Sequence, residues 1–243
     1  MNGLFLGFNA TVPVPAGNFL YIHDTLPNLP PYSRVFDPMA HSFNPLKGIT
    51  YTQARILADV LYTAYPQGEN TLTVRNGRRE LLQAMLTTTS FKKITGSQEI
   101  TDMIQDILVS PVLYNVFCGS KRTFSFKDNG AIFARINRAE LGDFDALILG
   151  LVLMSFYKGQ LIVPDFGFYG REAHSNLIRQ DRLLAGVRYL DELPLRLKRH
   201  VLLIKDIEAH GVLYEDAITL AAYRGLTPHT MGYQAFVDDA LAG

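Results

Sequence analysis

The chain contains one cysteine, Cys118, and no tryptophan in 243 residues. A single thiol excludes an intrachain disulfide and a thiolate metal cluster, and it suits a reducing compartment. Net charge is also missing: 23 basic residues balance 23 acidic ones. Nothing therefore draws the molecule as a whole towards nucleic acid or membrane, although a local basic patch is left open. Met1 is followed by no basic n-region and no signal h-region. The longest apolar run, Ala146–Phe156, is too short to span a bilayer. These absences predict a soluble, cytoplasmic protein with no membrane span.

Several catalytic signatures are absent as well. The six histidines (His23, His41, His174, His200, His210 and His229) show no His-x-x-x-His spacing, which predicts no metal site. Neither a Gly-x-Ser-x-Gly elbow nor a Gly-x-Gly-x-x-Gly fingerprint occurs. Cys118 follows an apolar stretch and reads as a packed thiol, not a nucleophile. There is no internal repeat, low-complexity segment or flexible linker.

What is present centres on Ala146–Tyr169. Ala146–Phe156 predicts a helix of about three turns. Gln160–Val163 is short, β-branched and closed by Pro164, as a buried parallel strand would be. Asp165 then falls just past the strand's carboxyl end, where open α/β sheets place their ligand crevice. Upstream, Asn18–His23 and Arg34–Phe36 read as strands. Met39–Gly48, which carries His41, Asn44 and Lys47, has turn composition.

Thr50 and Gln53 have the spacing of a capping box before the stripe Ile56, Leu57, Val60, Leu61. Further helices are predicted over Gly77–Leu86, Ser97–Leu108 and Pro111–Phe117. Together they make an all-α insertion at about 50–120 within a single α/β domain spanning 1–243. Asp128-Asn129-Gly130 between Phe124–Phe126 and Ala131–Ile136 reads as a hairpin.

Beyond Ala131 strands and helices alternate. A helix is expected from about Leu141, a polar one over Arg171–Asp181, a strand over Leu183–Leu190 and a short basic helix with Arg196, Lys198 and Arg199. A strand over Val201–Ile204, a helix over Tyr214–Tyr223 and a tail at Phe236–Leu241 complete the chain. The alternation predicts a doubly wound, mostly parallel sheet.

Some of these segments resemble a known family. Val35-Phe36-Asp37-Pro38 with His41-Ser42-Phe43-Asn44-Pro45-Leu46 is similar to the strand, Asp-Pro and Asn-Pro-Leu segment of conjugation coupling ATPases. Asn137-Arg138-Ala139-Glu140-Leu141-Gly142 resembles the matching stretch of DNA-pumping P-loop ATPases of the septal and conjugative kind. Leu161-Ile162-Val163-Pro164-Asp165-Phe166 stands where they carry Walker B. Tyr189–Pro194 looks like their sensor strand, and Tyr214-Glu215-Asp216-Ala217 like a late helix start. The likeness covers roughly 34–46 and 131–222, and it implies a RecA-like P-loop fold.

The departures are as specific. Nothing fits a Walker A loop, which needs backbone N–H groups, a Lys and a hydroxyl converging on phosphate and magnesium. Asn9–Gly17 stands where that loop is expected, but its prolines remove donors. Phe166 replaces the acid that would position water.

The resemblance therefore implies a degenerate, non-hydrolysing domain without cofactor. It would be a structural or binding subunit of a DNA-handling assembly for conjugation, packaging or a mobile element, with protein partners or copies of itself bound and DNA as a further candidate partner. One alternative is an active nucleoside triphosphatase or translocase, holding ATP and Mg by an atypical loop with Asp165 on the metal. Another is an unrelated doubly wound enzyme.

In the family reading Arg179 and Arg182, near Arg171, are candidate arginine fingers towards a neighbour. The plainer reading is a solvated face paired to Glu172 and Asp181. Arg196, Lys198, Arg199 and His200 form the densest basic cluster. It is a candidate nucleic-acid contact, or else a solvent face. Asp37 and His41 either line Asp165's crevice or simply end a strand.

Overall fold

The computed structural model describes residues 3–6, 12, 14–25, 29–65, 71–119, 121–126, 130–170, 183–192, 206–209 and 211–242. The chain divides into two compact units, Leu20–Lys158 and a second made of Met1–Phe19 with Gly159–Gly243.

In the first unit β2 (Phe19–His23), β3 (Arg34–Phe36) and β6 (Ala131–Arg135) lie in the order β3-β6-β2. β3 and β6 run parallel with Val35 opposite Phe133. A separate parallel pair, β4 (His41–Ser42) and β5 (Arg122–Thr123), sets His41 opposite Arg122.

Four helices connect β4 to β5: α1 (Tyr51–Ala64), α2 (Thr71–Thr87), α3 (Gln98–Val109) and α4 (Pro111–Cys118). The capping box at α1 is formed: Gln53 N donates to Thr50 Oγ1 at 3.4 Å and Thr50 N to Gln53 Oε1 at 3.2 Å. Gln53 Nε2 also donates to the Phe156 carbonyl at 3.0 Å, so the cap ties α1 to a distant helix.

That helix is α6 (Asp143–Phe156), separated from the short α5 (Arg138–Leu141) by Gly142 at φ +82°. Nothing crowds a Cβ there, so the positive φ is what calls for glycine. Ala146 and Ile148–Ser155 are all buried, on every face of α6. A helix apolar all round belongs in a core. Each fully buried Leu or Ile there contributes roughly 1.5–3 kcal/mol.

Two expectations change in this unit. α2 begins before Gly77, which lies inside it because Tyr62 of α1 takes the space: a Cβ at Gly77 would fall 1.8 Å from the Tyr62 hydroxyl. No hairpin joins Phe124–Phe126 to Ala131–Ile136. β6 has β3 and β2 as neighbours, while Phe124 and Phe126 pack among Phe36, Phe43 and Phe156. Burying those rings stabilises more than a two-stranded ribbon, which is marginal in water. Residues 127–129, the turn itself, lie outside the described residues.

In the second unit β1 (Gly3–Leu6), β7 (Gln160–Val163), β8 (Leu183–Val187) and β9 (Asp206–Ala209) lie in the order β7-β8-β1-β9. All three pairings are parallel: Val163 is opposite Ala185, Leu184 opposite Gly3, and Leu4 opposite Ile207. All five β8 residues are buried, as a continuous apolar run in a parallel sheet should be.

α7 (Phe166–Gly170) packs on β8, and α8 (Tyr214–Tyr223) on α9 (Met231–Leu241), which also meets β9. The architecture is α/β, parallel strands with helices against them. β9 falls at Asp206–Ala209, beyond the strand expected at Val201–Ile204, which lies outside the described residues. β8 ends at Val187, short of the expected Leu190, because the chain turns there into a 3-10 segment, Leu190–Glu192. No described helix is long and apolar enough to cross a membrane.

Candidate functional site

Parallel register brings the carboxyl ends of three strands to one edge. Leu6 is level with Val187, and Val163 with Ala185. The turns leaving β7 and β8 and the chain leaving β1 therefore depart together. β8 and β9 are consecutive among the described strands, yet β1 lies between them. Ligands of open α/β sheets bind outside such strand ends.

Asp165 is half-buried in the turn after β7, and its carbonyl accepts from Phe168 N at 3.2 Å. Phe166, next in the chain, is fully buried. The position beside Asp165 thus offers the edge no second polar group.

The turn after β8 is held by two carboxylates. Glu192 Oε2 accepts from Arg188 N at 2.7 Å, and Asp216 Oδ2, from α8, accepts from Leu190 N at 3.2 Å. Glu192 also lies against Gly167, where a Cβ would fall 2.2 Å from Oε2. These acids satisfy main-chain donors, a structural use of their charge. Asp165, Asp191 and Asp216 each have a further contact, so none is a free carboxylate.

Main chains also approach closely at this edge. A Cβ on Gly186 of β8 would fall 2.1 Å from the Pro164 carbonyl oxygen and 3.1 Å from Val12 Cγ2. Val12 is buried at 6% exposure. An apolar side chain from the segment expected to hold phosphate thus rests on β8. Residues 7–11 and 13 lie outside the described residues. Sequence reasoning missed Val12 and Gly186; the one local signal was a glycine inside a strand run, which marks a close backbone approach.

At the strand ends of the first unit acids meet arginines. Asp37 pairs with Arg135 at 3.7 Å, Glu140 also pairs with Arg135, and Asp24 accepts from Arg138 Nε at 3.0 Å. His41 Nδ1 meets the Asp37 main chain at 3.2 Å.

The residues behind the family resemblance have local tasks here. Asn137 Oδ1 accepts from Ala139 N at 3.0 Å, capping α5. Asn44 Oδ1 accepts from Leu46 N at 2.9 Å, and its Nδ2 donates to the Thr89 carbonyl at 2.7 Å. Leu46 is buried. Such Asx turns and caps need these residue types whatever the protein does.

Arg171, Arg179, Arg182, Arg196, Lys198, Arg199 and His200 lie outside the described residues. Cys118 is half-buried, and burial raises its pKa against the opposing effect of Lys92. Among the described residues no three His, Cys, Asp or Glu side chains come together as a metal would require. Compared with models of known protein families, with curated proteins and with solved structures, the chain matches none.

Proposed function

We propose that this protein is a degenerate P-loop-ATPase-like domain, RecA-like in descent, that serves as a structural or binding subunit of a DNA-handling assembly. The observation that carries the reading is at the ends of β7 and β8. Asp165 follows a buried parallel strand, as the Walker B acid of the resembled family does, while the next residue is a core phenylalanine and Val12 lies against Gly186 of β8. The order of the resembling segments along the chain supports the same descent. In this reading the sheet serves as a scaffold, no nucleotide or magnesium is bound, and partner proteins, further copies or DNA are held elsewhere on the surface.

A second reading has one observation in its favour: Asp165 is half-buried at a strand's carboxyl end, where a magnesium ligand of an active nucleoside triphosphatase would stand. Thermal unfolding with and without ATP and Mg separates the two. A ligand at 100 times its Kd adds about 2.7 kcal/mol, and hence roughly 5–10 °C in a protein of this size. We expect no shift. An upshift of that order that disappears in Asp165→Ala overturns the degenerate reading.

For the DNA claim, the triple change of Arg196, Lys198 and Arg199 to Glu is expected to weaken retardation of DNA in a gel. Equal retardation removes that cluster from the interface.

A further inference from the structure

A cleft of about 250 Å³ in the first unit is lined by Arg34, Val35, His41, Arg122, Thr123 and Phe124. Its polar lining is cationic or neutral, with two guanidinium groups, an imidazole and a hydroxyl. No carboxylate occurs among its described lining residues. The nearest acid along the chain, Asp37, is turned to other tasks, accepting from Met39 N at 2.8 Å and pairing with Arg135 at 3.7 Å. Lys121, just before Arg122, donates to the Met39 carbonyl at 2.7 Å and adds to the same positive field.

These groups are set before any ligand arrives. Arg34 lies over the Phe124 ring at 4.7 Å, with Nη2 donating to the Ser125 carbonyl at 2.8 Å, so its guanidinium is already oriented. His41 is fixed by its Nδ1 contact with the Asp37 main chain and by the rings of Phe36 and Phe124 at 6.1 and 5.3 Å. That leaves Nε2 to meet a ligand. Parallel register sets Arg122 opposite His41, and Arg122 and Thr123 are exposed.

Arginine forks match the oxygens of phosphate, and pre-orientation reduces the entropy lost on binding. The volume is below the range of about 300–1,000 Å³ typical of drug-sized ligands, which favours a small anionic group.

We propose that this cleft binds a single phosphate group, gripped by Arg122 and His41, with the Arg34 guanidinium adding to the positive field behind them. The phosphate comes either from a nucleic-acid backbone or from a free phosphate ester. The DNA-handling reading bears only on which source applies.

The test uses the full chain and Arg122→Glu. An equally exposed arginine outside the cleft, Arg55→Glu, controls for charge. Binding of a fluorescent single-stranded oligonucleotide is followed by anisotropy across salt concentrations, and inorganic phosphate is titrated against the His41 ring signals by NMR.

The expected result is at least a tenfold loss of oligonucleotide affinity in Arg122→Glu, little loss in Arg55→Glu, and a salt slope lower by about 1 in Arg122→Glu. Phosphate shifting His41 while the oligonucleotide stays unbound by every variant supports the cleft, assigns it to a free ester and counts against the DNA reading. Equal losses in the two variants, or oligonucleotide binding unchanged in Arg122→Glu with His41 indifferent to phosphate, overturns the cleft and leaves the DNA reading standing. Silence of both probes overturns the cleft and removes DNA from the proposed partners.

Discussion

At the end of β3 rings meet rings, whereas at the end of β8 main chain meets main chain. Phe36 is fully buried with Phe43, Phe124 and Phe126 at 5.3–5.7 Å between ring centres. Gly186, at the corresponding place in the other unit, has the Pro164 carbonyl where a side chain would begin. The acids differ in the same way. Asp24, Asp37 and Glu140 face arginine side chains, while Glu192 and Asp216 face backbone N–H groups. One region is built by filling volume and the other by removing it, so they should fail under opposite substitutions.

The largest effect tests the filled region. Phe36→Ala removes a ring from a close-packed cluster, and about 3–5 kcal/mol of stability should go with it. Urea unfolding followed by circular dichroism measures this; a loss below about 1 kcal/mol would mean the cluster collapses to fill the space. Next comes the emptied region. Gly186→Ala adds one methyl group against a main-chain oxygen and should cost about 1–3 kcal/mol, although alanine suits a strand no worse than glycine. If Gly186→Ala is neutral or stabilising, the contrast between the regions is broken.

The smallest effect is electrostatic and lies in the first unit. Burial raises the Asp145 carboxyl above 3.8, and a hydrogen bond from the Ser110 hydroxyl opposes the rise. The folded chain therefore holds this proton more tightly than the unfolded one. Its contribution to stability is present at acid pH and is lost as pH climbs from 3.8 through the raised value. Ser110→Ala should move the carboxyl higher still in an NMR titration, and should cost about 1 kcal/mol through the lost α4 cap at Leu113 N. An unchanged or lowered Asp145 titration would show that the hydroxyl does not serve the carboxylate.

The parts of this fold legible in the sequence were those decided within a few residues. Thr50 and Gln53 form their box because both partners sit on one helical turn. Gln160–Val163 became a parallel strand because its apolar run and its Pro164 stop are local facts. Gly77 was misread as a helix start, since the reason for a glycine there is Tyr62 on another helix. The Asp-Asn-Gly signal pointed to a hairpin, but the strand after it is flanked by β3 and β2, a choice made far along the chain.

At the candidate site Asp165 could be found from its strand. The packing of Val12 on Gly186 could not, since the two lie far apart along the polypeptide. The cleft was equally hidden, because His41 and Arg122 meet only through the pairing of two-residue strands, and Arg34 joins them through Phe124 and Ser125, far along the chain.

The position of β1 has a consequence for how the protein is made. Its partners, Leu183–Val187 and Asp206–Ala209, are synthesised long after it. At about 5–20 residues per second the newborn Gly-Leu-Phe-Leu segment waits on the order of 10 s for them. During that interval the edges of this segment are open to any other extended chain, so the sheet closes around its first strand only late in synthesis.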